Sequence, residues 1–150
     1  MAATPGYERL ARPVGLLDGH RPNLVRYVLS DPRARAAYPD RDRVADQQVA
    51  WLKGEVRRND PHAAEPAADL TVLAGPAFVD RMAAPAGPTD RTGVDRMLHP
   101  EAGALRLAYE ILDLPDADEQ RLVVLLPADD ATAAALDRLA GRRPGALRAV

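Results

Sequence analysis

From Leu105 to Ile111 the chain alternates: Leu105, Leu107, Tyr109 and Ile111 hold every second position, with Arg106 and Glu110 between them. A period of two sends the four apolar side chains to one face of a strand and the charges to the other. Upstream, Met97-Leu98-His99 leads into the turn-forming quartet Pro100-Glu101-Ala102-Gly103. Downstream, the polar break Asp116-Ala117-Asp118-Glu119 precedes Leu122-Val123-Val124-Leu125-Leu126, apolar throughout and closed by Pro127. A run that short, bounded by turn signals, predicts a strand buried on both faces. The three segments form an antiparallel meander with one apolar face to cover.

Ahead of the sheet the period changes to that of helices. Leu24, Tyr27 and Val28 stand at i, i+3 and i+4, predicting a short amphipathic helix that stops before Asp31-Pro32. Asp31 and Pro32 suit the N-cap and first turn of a second short helix, about 32–38. Tyr38-Pro39-Asp40 introduces the longest helix, about 41–58, with Ala45, Val49, Leu52 and Val56 on one face. Asp60-Pro61 repeats the stop-and-start signal. A helix over about 65–74 carries Leu70 and Leu73 and ends at Gly75, and Pro76 starts a brief one bearing Phe78, Val79 and Met82. Residues 83–93, with two prolines and two glycines, predict a loop. After the sheet, Asp129 or Asp130 caps a last helix with Leu136 and Leu139 inward, ended by Gly141. The first 21 residues resist assignment: Pro5-Gly6 and Pro13 interrupt any helix, and Val14-Gly15-Leu16-Leu17 reads as a short strand or a packed loop. The expected division is residues 1–21 as an undefined segment, 22–141 as the domain and 142–150 as a frayed tail. The fold class is α+β, a helical half followed by a three-stranded antiparallel sheet and a closing helix.

Composition narrows the function more than it reveals it. A chain of 150 residues is the size of one domain. Its 20 basic and 22 acidic residues leave a net charge of −2 with no one-signed region, which argues against direct nucleic-acid binding. All basic residues but Lys53 are arginine, as expected of a GC-rich genome. Cysteine is absent, which excludes disulfide and thiolate chemistry and suits the cytoplasm. Neither a signal-peptide pattern nor a stretch of about 20 apolar residues is found.

Candidate chemistry is sparse. His20, His62 and His99 share no metal-ligand spacing, so no metal and no cofactor is expected. The His99-Pro100-Glu101 pairing reads as a polar turn, and Asp129-Asp130 as a helix cap rather than an acid/base pair. Ser30, the only serine, lacks a nucleophile-elbow motif, and no phosphate-binding glycine pattern occurs. These absences speak for a non-enzymatic protein. Trp51 lies off the apolar stripe of its helix, beside Val44, and reads as a partly buried surface residue or as a contact for a second surface.

Arg26-Tyr27-Val28-Leu29-Ser30-Asp31-Pro32-Arg33-Ala34-Arg35, Tyr38-Pro39-Asp40 and His99-Pro100-Glu101-Ala102-Gly103 are followed in order by Leu105-Arg106-Leu107-Ala108-Tyr109-Glu110 and Gln120-Arg121-Leu122-Val123-Val124. Through this ordered set the chain resembles the MmyB-like transcription regulator ligand-binding domain, found behind a Cro/repressor-type helix-turn-helix in actinobacterial regulators. Arg41, Ala102 and Leu125-Leu126-Pro127 depart from its pattern, and its Pro-Glu-Phe helix survives as Pro76-Ala77-Phe78. The resemblance implies a PAS-like fold, here without the DNA-binding domain and without the first PAS strands. It also implies a small lipid-like, fatty-acid-like ligand in an apolar pocket.

The bulky apolar residues that should converge on such a pocket are Phe78, Met82, Met97, Leu107 and Tyr109. The alternative is a structural interaction module with a dry core and a docking surface around Trp51. In a PAS-like sheet the final strand is central, so the flank of Leu122–Leu126 needs a partner. Either Val14–Leu17 folds onto it, or a second copy pairs with it, and self-association is the favoured expectation.

Overall fold

Proline positions decide where the helices begin. The computed structural model describes residues 3–19, 22–57, 61–85, 87–114 and 120–141, without the side chains of residues 57 and 61–67. Helix α1 (Pro5–Ala11) starts at a proline, and so do α5 (Pro61–Ala74) and α6 (Pro76–Ala83). Proline's fixed φ suits the first turn, where its missing N–H is not needed. Pro5, expected to interrupt a helix, therefore starts one, with the Thr4 hydroxyl accepting from the Tyr7 amide. For the same reason α5 begins at Pro61, ahead of the expected residue 65. Gly75 separates α5 from α6 at φ 54°, a conformation that glycine takes without a steric cost.

Between these lie α2 (Leu24–Ser30), α3 (Arg33–Ala37) and α4 (Arg41–Arg57), close to their sequence-based bounds. Leu10, Ala11, Val14 and Leu16 from the first 21 residues join one buried cluster with Tyr27, Val28, Val44, Val49, Leu52, Leu70, Phe78, Met97, Leu105 and Leu107. Val14 and Leu16 thus belong to the helical core, and the Val14 carbonyl accepts a 2.7 Å bond from the Tyr27 hydroxyl. They do not flank the sheet.

Strands β1 (Thr92–His99), β2 (Gly103–Asp113) and β3 (Arg121–Pro127) form an antiparallel meander in the order β1-β2-β3. Thus β2 is central and β3 is an edge strand among the described residues. The expectation of a central strand buried on both faces fails, since Leu122, Val123 and Leu126 are 49%, 56% and 51% exposed. An uninterrupted apolar run fits a doubly buried strand, but equally an edge strand whose outer face has found no cover. Strand β1 starts at Thr92, five residues before the expected Met97, within the segment assigned to a loop. Its inward positions include Gly93 and Asp95, so the apolar alternation that marks β2 is missing there.

On β2 the expected face is the buried one: Leu105, Leu107, Tyr109 and Ile111 all point inward. Helix α7 (Asp130–Leu139) closes that side, with Asp129 as its N-cap accepting from the Thr132 amide at 2.8 Å. The buried Thr132 hydroxyl in turn accepts from the Arg106 amide at 3.0 Å, so the start of α7 continues the hydrogen bonding of β2 beyond the end of β3. The domain is α+β. His20, the break at 116–119 and the tail 142–150 lie outside the described residues, as does the His62 side chain.

Candidate functional site

Helix α4 carries two different faces. Val44, Ala45, Val49 and Leu52 are buried, and the helix packs against α2, α5 and α6. Arg43, Gln47, Trp51 and Glu55, spaced four apart, meet the sheet instead. Arg43 Nη2 bonds Asp95 Oδ1 of β1 at 2.6 Å and the Val94 carbonyl at 3.3 Å. Gln47 Nε2 donates to the Tyr109 hydroxyl of β2 at 2.5 Å. The Trp51 ring lies under the guanidinium of Arg121 on β3 at 4.7 Å, and Arg91 lies 5.7 Å from it. Glu55 Oε1 accepts from Arg121 Nη1 at 2.5 Å. Successive turns of α4 thus meet successive strands. The match is geometric, because a helical turn rises about 5.4 Å and neighbouring strands lie about 4.8 Å apart.

This seam is polar, exposed at Arg43 and partly buried at Gln47, Trp51 and Glu55, and it is not fully satisfied. Gln47 Oε1 and Trp51 Nε1 are inaccessible to solvent and have no hydrogen-bond partner among the described residues. They are an acceptor and a donor on adjacent turns of one face. Burial pushes the Tyr109 phenol above its ordinary pKa, with the Gln47 bond opposing, so the hydroxyl stays neutral. The Tyr109 ring crosses β1 at Gly93, where a Cβ would run into the phenol oxygen and the ring edge. Only glycine leaves that room.

His99 is the third residue with an unpartnered buried atom. Its Nδ1 accepts from the amides of Glu101 and Ala102 at 3.2 and 3.1 Å, which orders the turn between β1 and β2. Those bonds leave the proton on Nε2, which is buried without a partner. The His-Pro-Glu segment is therefore a capped turn.

Of the five residues expected to line a pocket, Phe78 on α6, Met97 on β1 and Leu107 on β2 share one buried cluster, and Met82 packs against it, partly buried. Tyr109 is buried too, with its hydroxyl committed to Gln47. Trp51 is covered by Arg91 and Arg121 of its own chain, which removes the motive for assigning it to a partner's surface. Gln47, Arg43 and Glu55 went unread in the sequence. A glutamine and a tryptophan one turn apart on the side away from the apolar stripe are the signal that points to them.

The family model for the MmyB-like transcription regulator ligand binding domain matches residues 1–139. The chain belongs to that family. No curated protein and no solved structure gives a match. Among the described residues no helix is long and apolar enough to cross a membrane.

Proposed function

We propose that this MmyB-like domain is the non-enzymatic, cytoplasmic sensor part of an actinobacterial transcription regulator. It takes a small apolar, lipid-like ligand between its helices and its PAS-like sheet, where Phe78, Met82, Met97, Leu107 and Tyr109 contact the chain of the ligand. The family membership supports the sensor role. The observation that carries the ligand is the pair of unpartnered buried atoms, Gln47 Oε1 and Trp51 Nε1, beside an apolar cluster. A dry core has no use for such atoms, since each buried polar group left unsatisfied costs about 1–3 kcal/mol. A bound amphiphile supplies both the apolar chain and the missing partners. Native mass spectrometry of gently purified protein is expected to show a small-lipid adduct, recovered on organic extraction. A bare mass, with no lipid extracted and none taken up on incubation, supports the dry interaction module instead.

The second part of the proposal concerns association. The exposed residues Leu122 and Leu126 flank Val124 on the edge strand β3. An antiparallel pairing of two copies centred on Val124 sets Leu122 of each opposite Leu126 of the other. It also satisfies the free backbone groups of the edge. Light scattering across a dilution series is expected to show a dimer that dissociates on dilution, with Leu122–Leu126 amides protected from exchange in the dimer. A monomer at every concentration with those amides unprotected excludes it.

A further inference from the structure

Resting on the ligand reading above, we infer that the polar end of the ligand is a neutral group that both donates and accepts a hydrogen bond. An alcohol, a primary amide or a protonated carboxylic acid qualifies. It is held between Gln47 Oε1 and the Trp51 Nε1–H when α4 parts from the sheet.

The charges along the seam exclude an ionised head. Each cation facing Trp51 is already matched: Arg121 by Glu55 at 2.5 Å and by Asp113, and Arg91 by Asp113 at 2.5 Å. At the other end Arg43 is matched by Asp95 at 2.6 Å. Among the described residues of the seam a carboxylate finds no cation without a partner and meets three carboxylates, Glu55, Asp113 and Asp95; Lys53 of α4, buried and bonded to the Ala84 carbonyl beyond α6, makes its contact away from the strands. An ammonium has to compete with Arg121, Arg91 and Arg43 for the same carboxylates. A neutral head disturbs none of these pairs.

The two open positions fit such a head in hydrogen-bonding type. Gln47 donates through Nε2 to Tyr109, which leaves its Oε1 to accept, while an indole nitrogen only donates. The two residues stand on adjacent turns of one face of α4, and a hydroxyl both accepts and donates, so a single neutral head answers both in type. Both atoms are sealed from solvent in the seam, so the head reaches them only as α4 moves off the inner face of the sheet. That displacement is how occupancy changes the shape of the domain.

The single tryptophan makes the test direct, because all indole emission reports this position. Dodecan-1-ol, dodecanamide, dodecanoate and dodecylammonium share a chain and differ in the head. At about pH 7.5 the alcohol and the amide are expected to change Trp51 emission saturably and to bind on the order of 10-fold more tightly than either ion. Dodecanoate is expected to gain affinity as the pH falls to about 5.5 and more of it becomes the neutral acid, while dodecan-1-ol does not. Gln47→Met, checked for an unchanged denaturation midpoint, is expected to remove the preference for the neutral heads while retaining chain binding. Trp51→Phe, followed by calorimetry, is expected to do the same. Equal affinity for all four heads, or tighter dodecanoate binding at high pH, overturns this inference and leaves the ligand reading standing. Calorimetry that shows no binding of any of the four removes both.

Discussion

The two faces of α4 are built on opposite principles. Toward α2, α5 and α6 the helix presents Val44, Ala45, Val49 and Leu52, whose fit depends only on shape and burial. Toward the sheet it presents Arg43, Gln47, Trp51 and Glu55, each with a named polar or aromatic contact: Arg43 on β1, Gln47 on β2, and Trp51 and Glu55 both on Arg121 of β3. An apolar interface holds wherever it packs, and its energy scales with the area removed from water. A polar one holds in one register, and any unmatched atom in it counts against the closed state. The helical side is thus the permanent part of the molecule, and the seam on the sheet side is the part that can be exchanged for contacts with something else.

Substitutions on the two faces sharpen that contrast, and the largest effect belongs to the apolar one. Leu52→Ala is expected to cost about 2–5 kcal/mol through the cavity it leaves, read as a lower urea midpoint with an unchanged slope. His99→Ala comes next, at about 1–3 kcal/mol, because two turn amides lose their acceptor. His99→Asn, whose oxygen can accept, is expected to restore part of it. On the seam, Arg121→Ala removes the partner of Glu55 and the cover of Trp51, and about 1 kcal/mol is expected for a largely buried pair that keeps some contact with water. The double change Gln47→Met with Tyr109→Phe deletes both members of a hydrogen bond and is expected to fall within about 1 kcal/mol of the parent. If it proves as damaging as Leu52→Ala, the two faces do not differ in kind.

The smallest effect lies outside α4 and depends on pH. The amide of Thr132 holds the Asp129 carboxyl below its ordinary pKa, and Arg106 adds to this. A carboxyl with a depressed folded pKa contributes stability above its unfolded value, near 3.9, and loses it as the pH falls through the lower folded value. Asp129→Asn is therefore expected to lower the thermal midpoint slightly at neutral pH, and to make no difference in acid below both values. A constant offset at every pH instead means that the carboxyl acts through shape alone.

The sequence disclosed elements whose signal is local. The alternation of Leu105 to Ile111 named its own buried face, and Asp129 its own helix. Phe78, Met97 and Leu107 share the buried cluster because bulky apolar residues in a domain of this size have few places to go. What it hid depends on the neighbours. Nothing in Leu122 to Leu126 states whether a strand lies alongside, so an edge read as a centre. Strand β1 was cut short because Asp95 faces inward, where only Arg43 from a distant helix makes a carboxylate tolerable. Gln47 was silent for the same reason: a glutamine acquires meaning only once Tyr109 is known to lie opposite. Pro5 misled because proline stops a helix from inside but starts one from the first turn.

Gly93 ties two distant positions into a single unit of inheritance. The phenol of Tyr109 occupies the volume that any side chain at residue 93 would need, and the same phenol is the anchor of Gln47. A lineage that acquires alanine at 93 must therefore move or shrink the side chain of residue 109, and either change loosens its hold on Gln47. Related chains are expected to fall into two populations, one with glycine, tyrosine and glutamine together and one with none of the three. Intermediates between them should be scarce, and where the trio is lost, the partnership of α4 with the sheet has to be rewritten.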